Sequence, residues 1–249
     1  MKNELNKSQI ERFSRQLVLK NIGPKGQKKI LSSKILIVGV GGLGCPAAES
    51  LVRAGIGTIG LIDNDIVNLS NIHRQSLFSS KDINKSKVSV AAKKLKEINP
   101  LTKIKTYKLR LNKSNIRNII ENYEIVIDGS DNFKTKFLIN DCCIKLKKKL
   151  ITGAISKFDG HVFTFNFKKK KEPCLKCFYQ GMPSDEILNC EAEGILGPIA
   201  GVVGSIQANE ALKMILNIGK YLYSNILIIN LKDLHFRKVK FKKKNGCIC

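Results

Sequence analysis

A glycine-rich turn comes directly after a β-branched run and opens a stretch with helical spacing. Glycines let the backbone approach a phosphate closely, and the N-terminus of a helix favours the negative charge of the phosphate. The glycines concerned are Gly39, Gly41, Gly42 and Gly44. Asp63 ends the next β-branched run, a position where a carboxylate can hold ribose hydroxyls. The pattern predicts a nucleotide site, and by itself it fits an NAD-dependent dehydrogenase.

Charged and amide side chains in and beyond this motif change that interpretation. Besides the two cations Arg74 and Lys87 and the carboxylate Asp131, the group contains Asp65, Ser70, Asn71 and Asn132. A hydride-transfer site has no need for so many polar groups near the phosphates, whereas ATP chemistry does. Arg74 and Lys87 can neutralise charge as pyrophosphate leaves, and Asp131 can hold Mg²⁺ through oxygen ligation.

Each of these three residues also has a structural explanation when it is taken singly. Arg74 could form a surface ion pair, Lys87 could be one more solvated lysine, and Asp131 could cap the helix that begins at Phe133. Only their combination favours ATP chemistry.

Four of the eight cysteines form two close pairs. Cys174 and Cys177 have C-x-x-C spacing, and Cys247 and Cys249 have C-x-C spacing. Four thiolates suit tetrahedral coordination of a structural zinc ion, because they leave no open position for a substrate. The alternative is a site that the tighter C-x-C pair has weakened or lost.

Alternating strands and helices must position these residues. Predicted strands cover Lys34–Val38, Thr58–Ile62, Lys103–Tyr107, Glu124–Ile127, Leu150–Ala154, His161–Phe167, Ile226–Asn230 and Phe236–Phe241. Predicted helices cover Ser8–Leu19, Leu43–Ala54, Lys87–Ile98, Ser114–Glu121, Phe133–Leu146 and Ile199–Leu216. This order predicts an α/β, Rossmann-like, doubly wound fold with a mostly parallel sheet, antiparallel C-terminal strands and a zinc-stapled tail. Ligands of such sheets lie beyond the carboxyl ends of the strands, where Gly39, Asp63, Asp128 and Asp131 all fall.

Length and composition indicate one continuous domain. The chain has 249 residues, of which 43% are apolar, enough to bury a sizeable core. We divide it into an N-terminal helical arm (1–30), a nucleotide-binding core (31–155) and a C-terminal part (156–249). A polar N-terminus and apolar stretches broken by glycine and proline predict neither a signal peptide nor a membrane span, so we expect a cytoplasmic protein without a membrane partner.

The net charge of +24 arises from 44 basic and 20 acidic residues, and only seven of the basic residues are Arg. A field this positive attracts nucleic acid or acidic proteins. The lysine runs, however, lack the interleaved aromatic residues and Arg forks that suit nucleic-acid binding. We interpret the charge mainly as a lysine-rich coding bias on solvated surfaces, expect no nucleic-acid partner, and leave recruitment of an acidic protein open.

Taken in order, the motifs resemble the ubiquitin-activating-enzyme-like adenylyltransferases MoeB and ThiF of molybdopterin and thiamin biosynthesis. The matching segments are Arg12–Gln16, Gly23–Gln27, Gly39–Gly44, Asp63–Asp65, Ser70–Gln75, Ile98–Pro100, Asp128–Asn132, Cys174–Cys177, Gly194–Pro198 and Gly204–Ala208. The resemblance covers nearly the whole chain, which makes it more specific than any single motif.

The resemblance implies ATP-dependent adenylation of the C-terminal glycine of a small β-grasp sulfur carrier that ends in Gly-Gly, MoaD or ThiS. The acyl-adenylate would activate the carrier for thiocarboxylate formation. Matched positions would place Gly42 against the nucleotide, Asp63 on ribose, Asn71, Arg74 and Lys87 on phosphates, and Asp131 with Asn132 at Mg²⁺. Arg15 would reach the ATP of a neighbouring subunit, which implies a homodimer.

Two cysteine features concern sulfur chemistry and the metal. Cys190 matches a loop cysteine that relatives use for thioester chemistry or a covalent link to the carrier, and its alternative is an inert thiol. Relatives carry C-x-x-C where this chain has Cys247-Ile248-Cys249, so zinc binding there stays open. Because no rhodanese domain follows Cys249 in this sequence, we expect sulfur to come from a separate persulfide donor.

Two other functions remain as alternatives. A related enzyme that adenylates tRNA would suit the charge, but the cysteine pairs and the C-terminal strands argue against it. A non-catalytic Rossmann module that binds NAD would not need Arg15, Arg74, Lys87 and Asp131 together. The sequence does not distinguish MoaD from ThiS as the carrier.

Overall fold

An eight-stranded sheet forms the centre of the protein in a computed structural model, which describes residues 4–168, 172–179, 183, 194–247 and 249. The strands are β1 Lys34–Val38, β2 Thr58–Ile62, β3 Lys103–Tyr107, β4 Ile125–Asp128, β5 Lys149–Ser156, β6 Asp159–Asn166, β7 Asn225–Asn230 and β8 His235–Lys240. Their order is β3-β2-β1-β4-β5-β6-β7-β8. In this order, the neighbouring strands β3, β2, β1, β4 and β5 pair in parallel, and the neighbouring strands β5, β6, β7 and β8 pair antiparallel. The predicted fold class and each predicted strand are confirmed.

Eight α-helices accompany the sheet among the described residues. They are α1 Lys7–Leu17, α2 Gly23–Ser32, α3 Gly44–Ala54, α4 Lys87–Ile98, α5 Ile116–Ile120, α6 Phe133–Lys145, α7 Leu175–Phe178 and α8 Gly197–Leu216. Helices α2 and α7 were not predicted from the sequence. Gly23-Pro24 has the composition of a turn, but a proline in the first turn needs no N–H partner and permits a helix to start there.

Both faces of β1, β2 and β4 are buried, which explains their continuous apolar runs, whereas the edge strand β3 is largely exposed. In β1, Ile35 and Ile37 face one core cluster, which also contains residues of α3, α4 and α8. Leu36 and Val38 face the other cluster, which contains residues of α5, α6 and α7. None of the helices in the described ranges has the length and apolar composition needed to cross a bilayer.

The chain reverses its direction of travel across the sheet at β1, which lies between β2 and β4. Connections leave the sheet on opposite sides at such a point, so a crevice opens at the carboxyl ends of the neighbouring strands. The glycine turn follows β1, Asp63 follows β2, and Gly129 follows β4. The fold therefore brings the predicted polar residues to one edge of the sheet.

Candidate active site and thiolate cluster

A cavity of about 610 Å³ lies at the carboxyl ends of β1, β2 and β4. Among the predicted nucleotide-binding residues, those that line it are Gly39, Gly41, Gly42, Asp63, Asp65, Arg74, Lys87, Asp131 and Asn132. Its size falls in the range of small-molecule sites. The crevice thus collects residues that lie far apart in the sequence.

The glycine turn depends on the absence of side chains at two points. Gly39 has φ +84°, and a Cβ atom there would lie 2.8 Å from the carbonyl oxygen of Gly129. Gly44 begins α3, and its Cβ would lie 1.9 Å from the carbonyl oxygen of Gly39. Gly44 therefore packs behind the cavity, where it allows the turn to close, while Gly41 and Gly42 line the cavity itself.

Asp63 holds the turn and the cavity edge together. Its Oδ2 accepts a hydrogen bond from the Val40 backbone N–H at 2.8 Å, and its Oδ1 accepts one from the Asp65 N–H at 2.9 Å. Burial raises the pKa of Asp63, while the nearby Lys87 ammonium and the two N–H donors act in the opposite direction. The two hydrogen bonds thus fix the orientation of the Asp63 carboxylate at the edge of the cavity.

Lys87 is not a solvated lysine, because it is only 6% exposed. Its Nζ lies 3.2 Å from Oδ2 of Asp65, whose side chain is 56% exposed. The two backbones are also joined, since Lys87 N donates to Asp65 O at 3.0 Å. Lys87 therefore lines the cavity as a buried ammonium group that is paired with the exposed carboxylate of Asp65.

Arg74 forms no ion pair with a carboxylate in the described part of the chain. Its Nη1 donates to the Ser70 carbonyl oxygen at 2.8 Å and lies 2.8 Å from Nε2 of His73. These contacts leave the guanidinium without a carboxylate partner among the described residues, and Arg74 lines the cavity. The surface ion pair considered for Arg74 is not formed.

Asn132, and not Asp131, caps α6. The Asn132 Oδ1 accepts a hydrogen bond from the Thr135 N–H at 2.9 Å, and its Nδ2 donates to Asp131 Oδ1 at 3.2 Å. Asp131 itself is exposed and lines the cavity. Its carboxylate keeps oxygen lone pairs available, as a hard cation such as Mg²⁺ requires.

The sequence placed Asp128 at the ligand-binding edge of the sheet, but its side chain is enclosed in the protein interior. It is fully buried, and its Oδ2 lies 3.1 Å from Lys136 Nζ. That oxygen also accepts from the Thr152 hydroxyl, while Oδ1 accepts from Ser130 N at 3.0 Å and Ser130 Oγ at 2.6 Å. Lys136 further donates to the Gly153 carbonyl oxygen at 2.6 Å. Asp128 is therefore a structural anchor for the cavity wall and not a ligand-facing carboxylate.

Besides Gly44, three predicted residues lie outside the cavity of their own chain. Arg15 is exposed in the last turn of α1. Ser70 and Asn71 form a 3-10 turn, in which Asn71 Oδ1 accepts from the Asn68 N–H at 3.3 Å. Cys190 lies outside the described residues.

The cavity also contains residues that were not predicted as site residues. They include Asn64, Gln75, Leu109, Arg110, Leu111, Ser130 and Thr135. Leu109 to Leu111 follow the carboxyl end of β3, and this position was the available signal. Gln75 directly follows Arg74 in a motif that had already been identified.

The four predicted metal ligands meet in a thiolate cluster, with all four sulfur atoms within 4.8 Å of one another. The Sγ of Cys174 lies 3.9 Å from that of Cys177 and 3.7 Å from that of Cys247, and Cys177 Sγ lies 3.6 Å from Cys249 Sγ. A tetrahedral zinc ion with Zn–S bonds of about 2.3 Å requires S···S separations of about 3.8 Å. The donor set therefore fits zinc despite the C-x-C spacing.

The thiolate cluster is attached to α6. The Leu175 N–H donates to Asn140 Oδ1 at 3.1 Å, and Lys176 Nζ lies 2.7 Å from Asp141 Oδ2. The same helix carries the Asp131-Asn132 segment at its N-terminus.

Comparison with known proteins gives one consistent family. A sequence profile described as the ThiF family matches residues 13–249. The sulfur carrier protein adenylyltransferase of Thermus thermophilus is 38% identical over 245 residues, which cover 97% of this chain and 90% of that protein. The adenylyltransferase and sulfurtransferase MOCS3 of Drosophila virilis is 42% identical over 241 residues, which cover 96% of this chain. The chain spans about half the length of that relative, 53%.

Solved structures share the fold at lower identity. E. coli MccB with ATP superimposes with a TM-score of 0.82 at 22% identity, covering 95% of this chain and 73% of that chain. PaaA gives a TM-score of 0.81 at 21% identity, covering 95% of this chain and 84% of that chain. At these identities the likeness establishes the fold alone.

Proposed function

The chain belongs to the ThiF family, and from this premise we propose that it is an adenylyltransferase that transfers AMP to the C-terminal glycine of a small sulfur-carrier protein. A carrier of the MoaD or ThiS type, with a β-grasp fold and a C-terminal Gly-Gly, is the proposed substrate. The Thermus thermophilus relative is named for this activity and matches over most of both chains.

The observation that carries the proposal is the set of charges around the glycine turn. Arg74 and the buried Lys87 bring two cationic side chains to a cavity that the carboxylates of Asp63, Asp65 and Asp131 also line. Hydride transfer has no use for this arrangement, whereas departure of pyrophosphate requires stabilisation of negative charge. Asp63, held by two backbone N–H groups, is the proposed partner of the ribose hydroxyls.

The proposed reaction needs alignment more than acid or base catalysis. A carboxylate oxygen of the carrier glycine attacks the α-phosphorus of ATP, and the bond from that phosphorus to the bridging oxygen breaks. Pyrophosphate leaves with the bonding electrons, so no proton is transferred. The cations Arg74 and Lys87 stabilise the leaving charge, and the cavity holds the two reactants close together.

We propose Asp131 as the protein ligand of Mg²⁺, with Asn132 positioning it through the 3.2 Å amide contact. Oxygen donors of this kind fit the preference of Mg²⁺, which usually keeps several waters and binds one or two carboxylates. When bound, the ion would offset phosphate charge.

The thiolate cluster of Cys174, Cys177, Cys247 and Cys249 is the proposed structural zinc site. Zinc there would join the C-terminal segment to α7 and, through Asn140, to α6. Thiolates that hold zinc must stay reduced, which supports a cytoplasmic location.

The C-terminal part, residues 156–249, is the proposed docking region for the carrier. In the described chain β8 pairs only with β7, so its other edge is open. Phe236 on this strand is 54% exposed, and Lys238 and Lys240 are exposed beside it. An edge strand with an apolar contact and positive charge suits an acidic protein partner.

Phe236→Asp should raise the KM for carrier without changing ATP affinity.

The test is carrier-dependent exchange of labelled pyrophosphate into ATP. MoaD-type and ThiS-type carriers should be compared, each beside a version that lacks the terminal glycine. We expect exchange with one intact carrier, loss of exchange with its truncated form, and loss in Asp131→Ala. Glu97→Gln, an exposed change at the far end of α4, should retain exchange. Absence of exchange with every carrier would refute the function.

A homodimer is the proposed functional unit, with Arg15 completing the ATP site of its partner. Arg15 is exposed and does not line its own cavity, and the neighbouring Val18 and Leu19 are 74% and 52% exposed. Inactive Arg15→Ala and Asp131→Ala homodimers should regain about a quarter of wild-type activity when their subunits are exchanged. A mixture that stays inactive after verified exchange would show that Arg15 acts within its own chain.

We further propose a persulfide as the source of the sulfur. MOCS3 relatives are named for both adenylyl and sulfur transfer, and the chain spans about half of their length. Cys190 is the proposed site of a covalent carrier link. Cys190→Ala should keep pyrophosphate exchange and lose a reducible enzyme–carrier adduct, and a wild type without that adduct would leave Cys190 no covalent role.

A further inference from the structure

Gln75 lines the nucleotide cavity although it is only 4% exposed. Its Oε1 atom is buried and has no hydrogen-bond partner within the described residues. The other end of the same amide lies at the glycine turn, since Nε2 is 3.6 Å from the point that a Cβ atom on Gly41 would occupy. The Gln75 side chain thus combines an acceptor without a partner, Oε1, with a donor, Nε2, that lies beside Gly41 in the cavity lining.

The position of Gln75 is fixed by its backbone and by α8. Gln75 N donates to Asn71 O at 3.0 Å, and its carbonyl oxygen accepts from Phe78 N at 3.0 Å. The first turn of α8 packs closely on His73, which lies two residues before Gln75. A Cβ on Gly197 in that turn would lie 2.5 Å from the His73 carbonyl oxygen. The Gln75 backbone is therefore held by hydrogen bonds on both sides, in a segment on which α8 packs.

An unpartnered buried oxygen is unfavourable, because its interaction with water is lost and not replaced. A methionine has nearly the same length and would fill this space without that penalty. A buried polar atom without a hydrogen-bond partner needs an explanation, and such unfavourable atoms are expected mainly at functional sites. The useful half of the Gln75 amide is the Nε2 donor, which lies beside Gly41.

From this geometry we infer that Gln75 Nε2 donates a hydrogen bond to the carboxylate of the carrier's C-terminal glycine and orients it for attack. The inference rests on the proposed function. The phosphates already face two cations, Arg74 and Lys87, whereas the attacking carboxylate needs a different partner. A neutral amide fixes the direction of a carboxylate without forming an ion pair that would reduce its nucleophilicity. One carboxylate oxygen accepts from Gln75, while the other forms the bond to the α-phosphorus and pyrophosphate departs with the electron pair.

The experiment compares Gln75→Met and Gln75→Glu with the wild type, using the carrier that supports exchange. Gln75→Met should lower kcat for carrier-dependent exchange by about 10²–10³-fold, as loss of one well-placed donor does at other sites. ATP binding without carrier should stay within about twofold of wild type, because the phosphates keep their cations. The melting temperature of Gln75→Met should be equal or higher, since the unpartnered oxygen is gone. Gln75→Glu should be less active still, because two carboxylates repel each other.

Thr164→Val is the matched control. Thr164 is 1% exposed on β6, and its Oγ1 is also buried without a partner among the described residues. This change removes an unpartnered oxygen away from the cavity and should leave exchange unchanged without lowering the melting temperature.

Three results would overturn the role of Gln75 alone: a Gln75→Met variant within about threefold of wild-type kcat, an equal loss of ATP affinity, or a lower melting temperature. An equal loss of ATP affinity would assign Gln75 to the phosphates. A wild-type protein that shows no carrier-dependent exchange would refute the proposed function itself, and the inference with it.

Discussion

Removal of the Lys136 ammonium should destabilise the protein strongly, because it leaves a buried charge without its partner. The Lys136 and Asp128 side chains are only 3% and 1% exposed. Breaking a buried pair by deleting one member costs about 3–5 kcal/mol. The Gly153 carbonyl oxygen also loses a donor, worth about 1 kcal/mol. Donors from Ser130 and Thr152 remain on Asp128, so we expect a loss of about 3–4 kcal/mol for Lys136→Met.

Urea unfolding followed by circular dichroism measures this loss as a change in the free energy of unfolding. Arg53→Met is the control for an exposed pair, because the Arg53 and Glu49 side chains are 61% and 27% exposed. That change should cost less than about 0.5 kcal/mol. The double variant Asp128→Asn, Lys136→Met should recover part of the loss, since it contains no unpaired buried charge.

Two outcomes would refute this reasoning. The first is a loss below about 1 kcal/mol in Lys136→Met, as for surface pairs. The second is a double variant that is no more stable than Lys136→Met, since the unpaired Asp128 charge would then not be the cause.

Three further predictions concern the metal, acid stability and the glycine turn. Cys174→Ser should reduce bound zinc from about one ion per chain and lower the melting temperature, and metal analysis that finds no zinc in the wild type would refute the site. The hydrogen bond from Lys94 holds the pKa of Asp82 at about 2, below its ordinary 3.8, so Asp82 stabilises the fold above about pH 4 and this contribution is lost as pH falls towards 2. Asp82→Asn should therefore remove about 1–2 kcal/mol at neutral pH and weaken the acid dependence of stability, and unchanged unfolding curves across this range would contradict the linkage. Gly44→Ala should destabilise the chain by at least about 2 kcal/mol, because its Cβ would lie 1.9 Å from the Gly39 carbonyl oxygen, and a fully stable, ATP-binding variant would contradict this packing.

Several parts of the site were determined by local features of the sequence. The β-branched run of β1, the glycines after it and the carboxylate after β2 lie within a short stretch of chain, and such patterns depend on backbone and side-chain preferences of neighbouring residues. The strand limits of β1, β2 and β3 agree with the structure at both ends. Helix α2 was missed because Gly23-Pro24 has the local composition of a turn.

Contacts between distant segments decided the rest. From the sequence, Lys87 could be one of many solvated lysines, and only its burial against Asp65 distinguishes it. Asp128 and Asp131 lie in one motif, yet Lys136 and Thr152 enclose the first while the second remains exposed to the cavity.

The cysteine pairs follow the same rule. Their types and spacing predicted a zinc site, but the meeting of Cys174 with Cys247 depends on how α7 and the C-terminal segment pack together. Burial, ion pairing and ligand geometry are properties of residues that the fold brings together across long stretches of chain. Residue types and spacing therefore identified the candidate groups, and tertiary packing determined which of them carry charge into the cavity.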